Sequence, residues 1–132
     1  MIGNYIFSKL SADATVHTYV ADRIYPLVAA EATDRPHITY QVLSATPNDT
    51  KTSASRLDEV LVQITIYDPI YLNALACALA VRQCLDRSSG TATGVVVQST
   101  QFTGQRDMYD MESKVTGVSQ DFMFRVQNPL NL

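Results

Sequence analysis

The chain has 132 residues, of which 46% are hydrophobic and 17% charged, and ten Lys and Arg against thirteen Asp and Glu leave a net charge of −3 at pH 7. At roughly 150 residues per domain this length predicts one domain over 1–132, and the apolar fraction excludes a disordered chain. The acidic balance argues against a duplex-DNA binder that neutralises phosphates, and no run reaches the ~18 consecutive apolar residues of a membrane helix.

In chain order, the first segment reads as a helix. Ile2, Ile6 and Leu10 recur every four residues, with Tyr5 and Phe7 beside them. The first ten residues carry no apolar run before a small-residue cleavage site, so no secretory signal is expected. Ser11 offers an N-cap for a second short helix holding Val16, Tyr19 and Val20, with Asp13 in its first turn. Asp22 to Pro26 reads as a short extended segment that Pro26 ends, and 28–36 reads as a loop.

His37 to Leu43 alternates, with Ile38, Tyr40 and Val42 on one face, and predicts a half-buried strand. The polar stretch 44–55 follows as a long hairpin connection. Arg56 to Tyr67 is the clearest strand, with Val60, Val62, Ile64 and Ile66 on one face. Asp68-Pro69 predicts a helix start, Asp as N-cap and Pro at the first helical position, running to about Asp86 before Ser88-Ser89-Gly90.

That helix is apolar on two sides. Ile70, Ala74, Cys77, Val81, Cys84 and Leu85 form one face, while Leu72, Leu75, Ala76 and Leu79 form another. One side is expected to pack on the sheet and the other to meet the first helix or another subunit. Thr93 to Phe102 predicts a third strand, 104–114 a charged connection, and Val115 to Val126 a last strand whose apolar face Gln120 interrupts. Residues 127–132 are expected to fray. The expectation is therefore an α+β fold: a four-stranded, mainly antiparallel sheet with helices packed on one face and long hairpin loops.

Chemistry-bearing patterns are few. Cys77 and Cys84, seven residues apart on one helix, would sit ~10.5 Å apart along its axis, beyond the ~7 Å that a disulfide allows. They are expected to be small buried hydrophobes rather than a disulfide or zinc site. His17 and His37 are the only histidines, and surface or capping roles are expected for both. No phosphate-binding loop, dinucleotide fingerprint or nucleophile elbow occurs. Asp58 and Glu59 point to opposite faces of a strand. The cluster Asp107, Asp110 and Glu112 lacks calcium-loop spacing and reads as a solvated or contact-making loop. No enzyme, cofactor or metal is expected.

The order of the motifs resembles a known family. Leu10, Asp13, Val16 and Val20 lead to Arg23-Ile24-Tyr25-Pro26. Next come Pro36-His37-Ile38-Thr39-Tyr40, the alternating strand Val60–Tyr67, and the helix after Asp68-Pro69. Arg106-Asp107-Met108-Tyr109-Asp110 then precedes a strand ending Asp121-Phe122-Met123-Phe124. Over about residues 2–126 this is similar to the tail-completion, or tail-terminator, family of long-tailed bacteriophages.

The resemblance implies a virion protein, assembled in the host cytoplasm, that forms a homo-oligomeric ring, usually a hexamer, at the head-proximal end of the tail tube. Such a ring stops tube polymerisation, offers a surface to the head–tail connector and stopper proteins, and lets genomic DNA through its lumen without specific binding. A neighbouring neck role, as head–tail stopper or adaptor, is the alternative. Leu72, Leu75 and Leu79 stand where a polar stripe is usual, which points to a subunit contact or to packing on the first helix. Asn48, Asp49 and Lys51 in one polar connection, and Asp107, Tyr109, Asp110 and Glu112 in the other, are the remaining expected contacts, to the tube, the adjacent subunit or the connector.

Overall fold

A computed structural model describes residues 2–28, 36–47 and 57–127. Helix α1 spans Ile2–Ala12 and buries Ile2, Tyr5, Ile6 and Leu10, the stripe that a 3.6-residue repeat places on one side. Helix α2 spans Ala14–Val20. Its N-cap is Asp13, whose carboxylate accepts the amide N–H groups of Thr15 and Val16 at 3.0 Å each. The cap expected at Ser11 moves two residues on. Ser11 remains helical in α1, and Asp13 holds the extended backbone from which a side chain can reach two unpaired N–H groups.

The strands are β1 (Ile24–Pro26), β2 (His37–Pro47), β3 (Leu57–Asp68), β4 (Gly90–Ala92), β5 (Val95–Asp110) and β6 (Val115–Gln127). They form one six-stranded sheet in the order β1-β2-β3-β6-β5-β4. β1 runs parallel to β2, every other pair is antiparallel, and the sheet curls into a half-barrel. This corrects the expected four-stranded sheet.

Two short strands account for the difference. In β1 the ladder uses the Arg23 carbonyl and the Leu27 N–H, bonded to Ile38 and Tyr40, so the N–H that Pro26 lacks is not needed there. β4 is three residues long and pairs with Val95–Val97, too short to carry a period.

Two long strands also outrun their expected ends. β2 passes a bulge at Leu43 and continues to Pro47, and β5 runs through the supposed charged connection to Asp110. The β5–β6 turn is only 111–114, with Lys114 at φ 56°.

Helix α3 spans Tyr71–Leu85 and starts later than Asp68-Pro69 suggested. Asp68 is still paired with Thr116 in the β3–β6 ladder, so its backbone stays extended. Its carboxylate instead accepts the Ile70 N–H at 2.7 Å, and Ile70 itself occupies the N-cap position without a side-chain bond.

The core lies between the helices and the sheet face that bears Ile38, Val62, Ile64, Ile66, Val118, Phe122 and Phe124. Tyr5 of α1 meets Phe124 edge-on at 6.1 Å between ring centroids. Its hydroxyl is bonded to Ser88 at 2.8 Å, which satisfies the polar end of a buried ring. Gln120, the interruption in the β6 pattern, is fully buried. It donates to the Ala78 carbonyl of α3 and to Gln105, and so pins helix to sheet.

The opposite sheet face carries Thr39, Gln63, Thr65, Ser119, Asp121 and Arg106. Ser119 bonds Thr65 at 3.0 Å, and Arg106 pairs with Asp121 at 3.0 Å. His37 is also on this face, buried between the rings of Tyr25 and Tyr67, not at the surface as its sequence position suggested. His17 is exposed, 3.9 Å from Asp22.

Candidate functional site: an exposed apolar end

One end of the molecule is built from the start of α3 and the far half of β5. Asp68 turns the chain out of β3, and Pro69, Ile70, Tyr71 and Leu72 emerge exposed before the helix settles on the sheet. Beside them, β5 residues 105–110 are all exposed, although β6 residues 115–120, hydrogen-bonded to them, are all buried. Among the described residues no strand pairs with this outer half of β5. β4 covers only Val95–Val97, and the turn after α3 covers Thr100 and Phe102.

The two segments are tied together. The Tyr71 hydroxyl donates to the Asp107 carboxylate at 2.6 Å, and that bond, with lesser help from burial and from the charge of Asp107, raises the Tyr71 pKa above its ordinary value. Tyr71, Asp107, Met108, Tyr109 and Thr116 line a shallow depression. On the other side of the strand Met108 lies over Gly117. A Cβ at Gly117 would come within 2.7 Å of Met108 Cγ, so the missing side chain is what lets Met108 lie there. Asp110 accepts the Glu112 N–H at 3.0 Å and shapes the turn.

The expected contact residues are distributed as follows. Asp107, Tyr109, Asp110 and Glu112 fall together here, but the first three stand on a strand rather than in a loop. Leu72 and Leu79 are exposed on α3, at 73% and 56% of their surface, while Leu75 is half-buried against the core. Helix α1 therefore does not cover the second apolar side of α3. Instead the α3–α1 contact lies elsewhere, where the Cys84 thiol donates to the Lys9 carbonyl. Asn48, Asp49 and Lys51 lie outside the described residues. The sequence reading missed Ile70, Tyr71, Met108 and Met111, all exposed at this end and Met111 at 82%. The available signal was Met108-Tyr109-Asp110-Met111, two methionines and a tyrosine among charges.

The arrangement offers binding surface rather than reaction chemistry. Six large apolar side chains stand exposed between 70 and 72 and between 108 and 111, rimmed by Asp107, Asp110 and Glu112. A patch of this kind, framed by charge, is the usual mark of a protein–protein contact. Cys77 and Cys84 are both free, and burial pushes their thiols up to about 12 and about 11, the reverse of an activated nucleophile. Among the described residues no group of three or more His, Cys, Asp or Glu could hold a metal, and no helix is long and apolar enough to cross a membrane.

Both the fold and the sequence have known counterparts. The fold is similar to a chain from the virion of a native gene transfer agent (GTA) particle, with a TM-score of 0.75 over 93% of this chain and 92% of that one, at 16% sequence identity. A search of curated proteins gave no sequence match. The profile of the family described as tail completion protein gp17 matches residues 4–127, nearly the whole chain. The chain belongs to the tail completion protein gp17 family and is a structural protein of the virion tail.

Proposed function

We propose that the protein forms a ring at the head-proximal end of a phage tail tube, six copies around the tube axis, where it stops tube polymerisation and presents the surface on which head and tail join. The observation that carries this reading is the exposed apolar end. In a tail structural protein, Ile70, Tyr71, Leu72, Met108, Tyr109 and Met111 are left open to solvent, and covering them is favourable at about 25 cal/mol per Å² of apolar surface.

In this reading Leu72 and Leu79, with Leu75 beneath them, lie against the adjacent subunit. Asp107, Tyr109, Asp110 and Glu112 contact the tube protein, the adjacent subunit or the connector, and so do Asn48, Asp49 and Lys51. A ring subunit needs two different patches that meet head to tail, and the ring closes if the rotation permits. Six copies at −3 each carry −18, a balance suited to a lumen through which DNA passes without being gripped.

The test is electron microscopy of tubes grown from purified tube subunit with and without this protein. Tubes that stop growing and carry a ring of density at one end support the reading, and the lobes count the copies. Tubes that elongate unchanged, with bare ends, contradict it.

A further inference from the structure

The start of β5, at the opposite end of that strand from the apolar patch, borders a cleft of about 450 Å³ lined by Arg82, Asp86, Arg87, Phe102, Met123 and Arg125. Three arginines line it: Arg82, stacked on Phe102 at the helix side, Arg87 in the turn after α3, and Arg125, whose register places it on the opposite face of β6. Asp86 is the acid among these residues, and its carboxylate accepts the Phe102 N–H at 3.0 Å. Together with the Arg87 N–H on the Thr100 carbonyl, that bond seals the strand edge behind the cleft.

Arg82 stacks on the Phe102 ring at 4.0 Å and, like Arg87, has no ion pair among the described residues. Arg125 approaches Glu59 only at 4.0 Å. Like charges gathered in a walled cleft raise the local potential and favour an anionic occupant. Arginine forks suit a carboxylate or a phosphate, and the carboxylate is the one this chain itself supplies.

The same chain carries the complementary surface. At the far end of β5, Asp107 and Glu112 flank exposed Tyr109 and Met111, while the cleft sets Phe102 and Met123 among its arginines. From Phe102 to Tyr109 the strand rises about 23 Å at ~3.3 Å per residue, so a chain cannot place its own β5–β6 turn in its own cleft.

We propose that the end of β5 and the turn after it, bearing Asp107, Asp110 and Glu112 against Lys114, docks from one copy into the arginine cleft of a second copy of this chain, and that this head-to-tail contact builds the ring. The inference rests on the reading of the protein as a ring-forming tail component and supplies its electrostatic contact, beside the leucine stripe of α3. The occupant is a carboxylate-bearing, apolar-tipped segment, and the second copy presents one.

The test uses single-cysteine variants in a Cys77→Ala, Cys84→Ser background: Gln101→Cys in one preparation and Tyr109→Cys in another. The two are mixed under oxidant, free and on tail tubes. A disulfide-linked pair that forms from the mixture and not from either protein alone supports the contact. Arg82→Glu with Arg87→Glu should lower the cross-linked yield at least about tenfold, as should Asp107→Arg with Glu112→Arg. All four changes in one chain should restore it.

If tubes acquire a ring at their ends but no cross-link forms, this contact is wrong and the ring reading stands. If tube ends stay bare, the ring reading fails independently. Reversal of the arginines that abolishes binding of a fluorescent DNA duplex while cross-linking persists would assign the cleft to phosphates and overturn the proposal. Thermal melts of each variant establish that it is folded, and the cysteine pair tests the contact without altering any charge.

Discussion

β5 and β6 are neighbours in one ladder, yet over their paired outer halves one is wholly exposed and the other wholly buried. β6 residues 115–120 have β3 on one side, β5 on the other and α3 above, where Gln120 holds the Ala78 carbonyl. β5 residues 105–110 have β6 on one side and, among the described residues, nothing pairing on the other. The contrast teaches that strand geometry and burial are separate matters. β6 is shaped by its core and carries Val, Gly and Ser where neighbours press. β5 is free to carry Gln, Arg, Asp, Met and Tyr. The charges also guard an open strand edge against indiscriminate pairing.

Substitutions on the two strands test the contrast, and a pH profile tests the burial of the thiols, with effects from strong to weak. Phe124→Ala on β6 should cost about 3–5 kcal/mol, the range for an aromatic side chain removed from a packed core, whereas Tyr109→Ala on β5 should stay within roughly 0.5 kcal/mol. Urea unfolding of both variants measures the difference, and equal losses would mean that β5 is not the free strand described here.

Gly117→Ala on β6 probes the contact between the two strands. The added methyl lands against Met108, so the variant should lose about 1 kcal/mol or more, and Met108→Ala in the same chain should recover much of it. An unchanged melting temperature for Gly117→Ala would remove the contact from the account.

The weakest effect is on pH. Burial holds the Cys77 thiol at about 12 and the Cys84 thiol at about 11, against 9.0 ordinarily. The folded chain therefore keeps protons that the unfolded chain releases above pH 9. The stability that the two thiols contribute is present below that pH and declines as pH rises towards their folded values. Denaturant midpoints should fall between pH 9 and 10.5 and fall less in Cys77→Ala; a flat profile would contradict the burial of both thiols.

The same contrast explains what could be read from the chain. β3 and most of β6 were legible because alternation in Val60–Ile66 and Val118–Val126 records a buried face. The outer half of β5 buries neither face, so its residues have no period and read as a connection. β2 beyond Leu43 was missed for the same reason, since 41–47 are all exposed. β1 was legible as a short extended segment but not as a strand of the sheet, and β4, held by three ladder pairs, leaves no trace in side-chain pattern.

The candidate surface was half legible. Leu72 and Leu79 stood out because they break the polar side of a helix. Tyr71 and Met108 did not, because their significance comes from Asp107 and Gly117 across the fold. The arginine cleft was invisible, since Arg82, Arg87 and Arg125 come to line one cleft only once α3 has folded against β5 and β6.

The central claim is that the end formed by the start of α3 and the outer half of β5 is covered when the protein takes its place on the tail. Amide hydrogen exchange, compared between the free protein and the protein bound at tube ends, tests this directly. The account predicts slowed exchange over 105–112 and 70–73 on binding, while 115–124, already buried, changes little. Protection appearing elsewhere, with 105–112 exchanging as fast as in the free chain, would contradict it.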